Sequence, residues 1–301
     1  MLTSAIRHLV AARSASTLLA GFADRTVQVW DLRACARNAE FETVLSFGGS
    51  RLALSPDGKR CVAASWNGGK RGGVACYDCV SGCAVWHRPE IRRTQRVLYS
   101  ADGQSVWCVV DDGPLQRLDG GSGETREVGR GVRDIRESED GGERLLATQK
   151  RGFRYFFLIG QRSLFHIAPL VTGRVLDAAF TPEALCLSEG CGPTRCFDRK
   201  DGTELWRTDW EHEWVRQLWY DPRDAQLYAA TSQRLLQCAP LAGEWKTMCE
   251  VAASCFASCP GLGQLVTSDG DLIDVASGVV KNQLDFPQRE IEAPLDDASG
   301  R

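Results

Sequence analysis

Short apolar runs alternate with polar, turn-forming segments along nearly the whole chain. Runs such as Leu52-Ala53-Leu54, Val74-Ala75-Cys76-Tyr77 and Leu235-Leu236-Gln237-Cys238 are bounded by Gly, Pro, Asp and Ser, the pattern of β-strands joined by tight turns. One turn recurs between two such runs: Ser55-Pro56-Asp57-Gly58, Ser100-Ala101-Asp102-Gly103 and Ser138-Glu139-Asp140-Gly141. It continues as Thr181-Pro182-Glu183-Ala184, Asp221-Pro222-Arg223-Asp224 and Cys259-Pro260-Gly261-Leu262, with Ala12-Arg13-Ser14-Ala15 at the front. Pro presets the first turn dihedral, Asp bonds nearby backbone and Gly accepts positive φ.

A second series runs in step with the first. Strands end on Asp at Asp31, Asp78, Asp119, Asp198 and Asp274, and Ser-Gly or Asp-Gly and then Trp follow Asp78 and Asp198. The separations are 47, 41, 79 and 76 residues, the last two close to double periods. The anchors missing from those double periods fall on Tyr155–Gly160 and Leu235–Ala239, strands without the Asp. Units of about 40 residues, each holding four short antiparallel strands, predict the blades of a β-propeller. Seven units fill residues 1–285, so the expected fold is all-β: one seven-bladed β-propeller of four-stranded blades. Residues 286–301, with Glu290, Glu292, Asp296 and Asp297, read as a flexible acidic tail.

Trp30-Asp31 together with the Ser-Pro-Asp-Gly turn resembles WD40 repeats. Asp78 to Trp86 and Asp198 to Trp206, with the intervening Gly, are similar to the quinoprotein-type (PQQ-like) propeller repeat. The Gly-His dipeptide typical of WD40 repeats is absent and only one Trp-Asp pair occurs. The eight-blade length and the cofactor-bearing segments of quinoprotein dehydrogenases are also missing, so the resemblance implies a fold and no cofactor. Trp30, Trp86 and Trp206 are expected at the blade position where an aromatic wedges between sheets.

Composition narrows the function classes. The chain of 301 residues is 43 % hydrophobic and 25 % charged, which excludes a wholly disordered protein. Lys and Arg number 36 against 39 Asp and Glu, a balance that argues against generic nucleic-acid binding. No apolar stretch is long enough to span a membrane. Residues 1–23 hold Arg7, Arg13, several Ser and no acid, a composition shared with mitochondrial transit peptides, whereas the turn at Ala12–Ala15 assigns them to the first repeat. Thirteen cysteines, with Cys76, Cys79 and Cys83 as the one tight cluster, are expected to be structural thiols in a reducing, cytoplasmic compartment.

Signals of catalysis are weak. Four His residues are scattered at 8, 87, 166 and 212, and no nucleophile elbow, phosphate loop or dinucleotide fingerprint occurs. The Gly-rich runs Asn67–Gly73 and Gly120–Gly123 join strands and read as hairpin tips. Asp209-Trp210-Glu211-His212-Glu213-Trp214 has catalytic-looking content, but strand alternation would turn His212 away from Glu211 and Glu213.

Propellers place their recognition residues on loops at one end of the disc. That face collects Trp66, Lys70, Arg71, Arg88, Arg92, Arg93, Arg96, Arg130, Arg133, Lys150 and Arg151 from the second to fourth units. The fifth to seventh supply Glu189, Asp209, Trp210, Glu211, Glu213, Asp269 and Asp271. The expected surface has a positive and a negative half, suited to a protein partner divided the opposite way. The leading expectation is therefore a non-catalytic protein-binding platform without cofactor or metal; a bacterial protein that neutralises a toxin or effector is one case. The alternative is a small-molecule or enzymatic propeller, lactonase- or quinoprotein-like, with its site in the central channel.

Overall fold

The computed structural model describes residues 2–3, 6–13, 15–45, 51–66, 72–111, 113–130, 132–138, 143–150, 153–160, 164–167, 175–189, 192–210, 213–251, 253–286 and 290–291. Side chains are described for all of these except 2–3, 127–128, 130, 133, 143–150, 153–160, 164–167 and 290–291.

Apolar runs bounded by turn residues become strands, and consecutive strands pair antiparallel in four-stranded sheets. The first sheet is β2 (Ile6–Ala11), β3 (Thr17–Phe22), β4 (Thr26–Asp31) and β5 (Ala36–Glu42). The second is β6 (Arg51–Leu54), β7 (Arg60–Ala64), β8 (Val74–Asp78) and β9 (Ala84–Arg88). The third follows as β10 (Thr94–Tyr99), β11 (Ser105–Val110), β12 (Pro114–Asp119) and β13 (Thr125–Arg130). Next come β14 (Val132–Glu137), β15 (Glu143–Lys150), β16 (Phe153–Gly160) and β17 (Leu164–Ile167). After them lie β18 (Val175–Phe180), β19 (Ala184–Glu189), β20 (Thr194–Asp198) and β21 (Glu204–Thr208). Strands β22 (Gln217–Asp221), β23 (Gln226–Ala230), β24 (Arg234–Cys238) and β25 (Lys246–Glu250) form another sheet. The last is β26 (Phe256–Cys259), β27 (Gln264–Thr267), β28 (Asp271–Asp274) and β29 (Val279–Gln283). Six of these sheets are described down to their side chains; β14–β17 is described chiefly by its backbone pairing.

The first strand of each sheet is innermost. Strands β2, β6, β10, β14, β18, β22 and β26 touch one another in that order, and β26 touches β2 again, closing a ring around a channel. The chain is thus an all-β propeller of four-stranded antiparallel blades. The cores lie between neighbouring blades, as where Val62, Cys76 and Trp86 pack on Val97, Tyr99 and Cys108. Outermost strands have no blade beyond them, and all five residues of β29 are exposed.

The recurring Asp caps the turn between the third and fourth strands. Asp78 Oδ1 accepts from Val80 N at 3.1 Å, Ser81 N at 2.8 Å and Ser81 Oγ at 2.9 Å. Asp119 does the same with Gly121 N, Ser122 N and Ser122 Oγ, and Asp274 with Ser277 N and Oγ. Gly82, Gly123, Gly202 and Gly278 close these turns at φ of 69°, 68°, 76° and 70°, a conformation that suits Gly. The Ser-Pro-Asp-Gly turn is built on similar logic: Ser55 Oγ donates to Asp57 Oδ1 at 2.6 Å and accepts from Arg60 N at 2.9 Å.

Hydrogen bonds from Ser81 and Ser122, backbone first, hold Asp78 and Asp119 below the usual carboxylate pKa; the Ser277 hydroxyl and then its N–H do so for Asp274. A carboxylate whose pKa is lower folded than unfolded stabilises the fold above the unfolded value of about 3.9, and that stabilisation is lost as pH falls through the folded value. Urea midpoints are therefore expected to fall as the pH drops below about 4. Asp78→Asn should flatten that decline, and a decline as steep as in the parent chain would show that the cap does not carry it.

Two expectations need correction. Trp86 and Trp206 occupy fourth strands, but Trp30 lies on the third strand β4, so the three do not share one blade position. Trp30 instead packs edge-on against Phe286 at 5.3 Å between centroids, on the seam between the first and last sheets. The segment expected to be only a tail also contributes a strand, β30 (Glu290–Ile291), which pairs with β1 (Leu2–Thr3). Ile6–Ala11 and Thr17–Phe22 form β2 and β3 of the first sheet.

Candidate functional site

Chain direction sorts the loops. Connections from the second to third strands and from one blade's fourth strand to the next blade's first share one face with the starts of the inner strands. Trp66, Arg92, Arg93, Trp210, Glu213 and Trp214 all lie on these connections. At the centre of this face the channel opens into a cavity of about 370 Å³.

The charges expected to divide the face are largely engaged within the protein. Arg93, held at φ of +56°, pairs with Asp111 at 2.5 Å, and Arg96 Nε lies 2.6 Å from Asp134. Arg92 is exposed and Nε donates to Pro89 O at 3.1 Å. Arg88 donates to the carbonyls of Gly123 and Ser122 in the next blade. On the acidic side, buried Glu213 pairs with Arg234 at 2.8 Å, Glu189 is buried beside Arg195, and Asp209 pairs with Arg207 at 2.8 Å. Trp210 is half-buried: Nε1 donates to Thr194 Oγ1 at 2.8 Å and its ring meets Trp245. Lys150 ends β15, where only the backbone is described; Lys70, Arg71, Arg151 and Glu211 lie outside the described residues. Of the predicted aromatics only Trp66, 38 % exposed, is presented to solvent, and Trp214, 49 % exposed, joins it.

The channel mouth gathers groups that repeat-level reasoning passed over. Arg7 on β2, Arg51 on β6, Arg96 on β10 and Arg216 just before β22 line it, with His8, Asp177 and Cys255. Inner strands carry register irregularities between Ile6 and His8, Thr94 and Arg96, and Val175 and Asp177, all near the mouth. Such bulges re-aim side chains. A sequence signal existed: Arg7, Arg51, Arg96 and Arg216 each stand four or five residues before the turn that opens at Ala12, Ser55, Ser100 and Asp221.

Behind the mouth sits a buried ion network. Arg136, 8 % exposed, donates to Asp134 Oδ1 at 2.6 Å, Asp177 Oδ1 at 3.3 Å, Ile135 O at 3.0 Å and Leu176 O at 2.5 Å. Asp177 Oδ2 also accepts from Leu218 N at 3.0 Å. Burial works to raise the pKa of Asp134, but Arg136, Arg96 and the Ile135 N–H outweigh it and keep the carboxyl below its ordinary value.

Burial pushes the Cys255 thiol up to about 11, so it is protonated near neutral pH, and Ser254 Oγ shares a 3.2 Å hydrogen bond with Ser268. All twelve described cysteines are free thiols, and among the described residues no group of three or more His, Cys, Asp or Glu is placed to hold a metal. Cys76 turns to the Tyr99 hydroxyl at 3.4 Å, while Cys83 is exposed. The opposite end of the channel is a cavity of about 240 Å³ lined by Arg13, Glu137, Phe180, Trp219 and Tyr220 among others. Among the described residues no helix is long and apolar enough to cross a membrane.

No family model matches this chain, and no curated protein does. Solved structures do. The β-propeller domain of Cps50 (Swd1) from Myceliophteria thermophila superposes with a TM-score of 0.56 at 18 % identity, covering 75 % of this chain and 80 % of that one. Hydrazine synthase from Kuenenia stuttgartiensis gives a TM-score of 0.64 at 13 % identity, covering 93 % of this chain and 96 % of that one. At such identities the likeness is one of fold. The chain folds as a β-propeller.

Proposed function

We propose that this protein is a non-catalytic protein-interaction platform, a ring of seven blades that takes a partner protein on the face holding the basic channel mouth. The carrying observation is the exposure of Trp66 and Trp214 on loops of that face, while Trp30, Trp86, Trp107 and Trp219 are buried. Exposed tryptophan is costly to leave in water and is among the residue types that most often dominate interface energetics. The platform fold supports this reading, since loops around a rigid ring can be remodelled without disturbing the blades.

The test is capture from native extract followed by mass spectrometry, with wild type and a Trp66→Ala, Trp214→Ala double variant as baits. The expected result is a partner retained by wild type and lost from the variant, with the unfolding midpoint of the variant unchanged. Equal retention by both baits would move recognition elsewhere. Reversing Arg93 or Arg96 is a poorer test, because both hold internal ion pairs. The alternative of a small-molecule or enzymatic propeller draws on the cavity at the channel mouth.

A further inference from the structure

We propose that the channel mouth is an anion site that takes a phosphoryl group, clamped by Arg7 and Arg216 above Arg51 and Arg96. The charge at this place is unlike that of the molecule. The chain as a whole carries a net charge of −3, yet Arg7, Arg51, Arg96, Arg136 and Arg216 gather here against Asp134 and Asp177. Among the described residues five guanidiniums stand against two carboxylates, an excess of three positive charges at and behind the mouth. A cleft with low-dielectric walls focuses such a field on whatever enters it.

The four lining arginines come from different blades, so they surround the opening. Two are fixed: Arg51 Nε donates to Gln95 O at 3.0 Å, and Arg96 lies against Asp134, which Arg136 holds in turn. The other two are exposed. Arg216 Nη1 donates to Ser254 O at 2.6 Å, and Arg7 makes no hydrogen bond or ion pair among the described residues. Neither has an acidic partner among the described residues, so their charges are met by solvent.

The excess charge and the number of forks select the ligand chemistry. A carboxylate carries one charge and offers one planar edge, which one guanidinium satisfies. A phosphoryl group carries close to two charges and has three terminal oxygens, so guanidiniums from different directions can each engage it. Phosphate on a partner's side chain and a free phosphate compound present the same group. The site does not depend on the platform reading, and the two fail separately.

Isothermal titration at low ionic strength tests it with pyrophosphate and with a glycine-flanked phosphoserine peptide, using the unphosphorylated peptide as blank. The proteins are wild type, an Arg7→Gln, Arg216→Gln double variant, and Arg92→Gln as a control arginine on the same face. Wild type and the control should bind at least one phosphorylated probe, with affinity falling as salt rises, and the double variant should bind at least tenfold more weakly. Tighter binding of the phosphopeptide assigns the group to a partner chain; tighter binding of pyrophosphate assigns it to a free compound. No binding of either probe, or equal binding by the double variant, would overturn the site. Binding of pyrophosphate alongside a failed partner capture would sink the platform reading and leave the site standing.

Discussion

Replacing Arg136 by leucine is expected to destabilise the fold by about 3–5 kcal/mol, the usual cost of removing one partner from a buried ionic network. The residue is 8 % exposed, and its side chain joins Asp134 to Asp177 while satisfying the carbonyls of Ile135 and Leu176. Without it, Asp134 keeps Arg96 as its cationic neighbour among the described residues, and its burial is no longer outweighed to the same degree. The sign of the pH effect follows. In the parent protein the pKa of Asp134 is depressed, so its contribution is present above the unfolded value of about 3.9 and is lost on acidification. In the variant that carboxyl titrates higher, and protonation relieves it. The deficit should therefore be largest near neutral pH and narrow towards pH 4. Urea unfolding at pH 7 and pH 4.5 measures this, and a deficit independent of pH would mean that lost packing, not an uncompensated charge, explains the loss.

A loss of similar size is expected for Trp86→Ala, about 3–5 kcal/mol, because a buried indole leaves a cavity. The residue closes one blade against the next: Nε1 donates to Gly120 O at 3.2 Å, and its ring lies over Gly123 in the following blade. A Cβ at Gly123 would stand 2.6 Å from Cδ2 of Trp86, on a residue already at φ of +68°. Gly123→Val should thus cost about 2–5 kcal/mol from left-handed backbone strain and overpacking. Combined with Trp86→Ala, the steric part disappears and the two losses should fall short of their sum. Additivity to within about 0.5 kcal/mol in a double-mutant cycle would show that the ring and the turn do not press on each other. The same latch recurs where Trp206 lies over Gly243 and donates to Pro240 O at 2.7 Å. Trp206 is only half-buried, so Trp206→Ala should cost about 2 kcal/mol.

These latches explain why a repeat with one Trp-Asp pair still reads as a propeller. Asp78, Asp119 and Asp274 are visible in the sequence because an Asp cap and a left-handed Gly are local requirements, met within five residues. The strands Tyr155–Gly160 and Leu235–Ala239 could be located without that signature because period alone places them, and β16 and β24 run there. The charges expected on a dipolar face are a different case. Arg93, Arg96 and Glu213 look available in a sequence, yet each finds an opposite charge on a different strand or blade: Asp111, Asp134 and Arg234.

Strand and turn order, unit length and the all-β class are legible along the chain, since each depends on residues close together in it. Which charges cancel, which tryptophans stay wet and which arginines meet at the axis follow from how the blades come together. Arg7 and Arg216 are distant in the chain and adjacent to one channel only because the ring closes. Electrostatic pairing acts through space, over a few ångströms, and nothing in a one-dimensional spacing reports which inner strands will face each other across a channel.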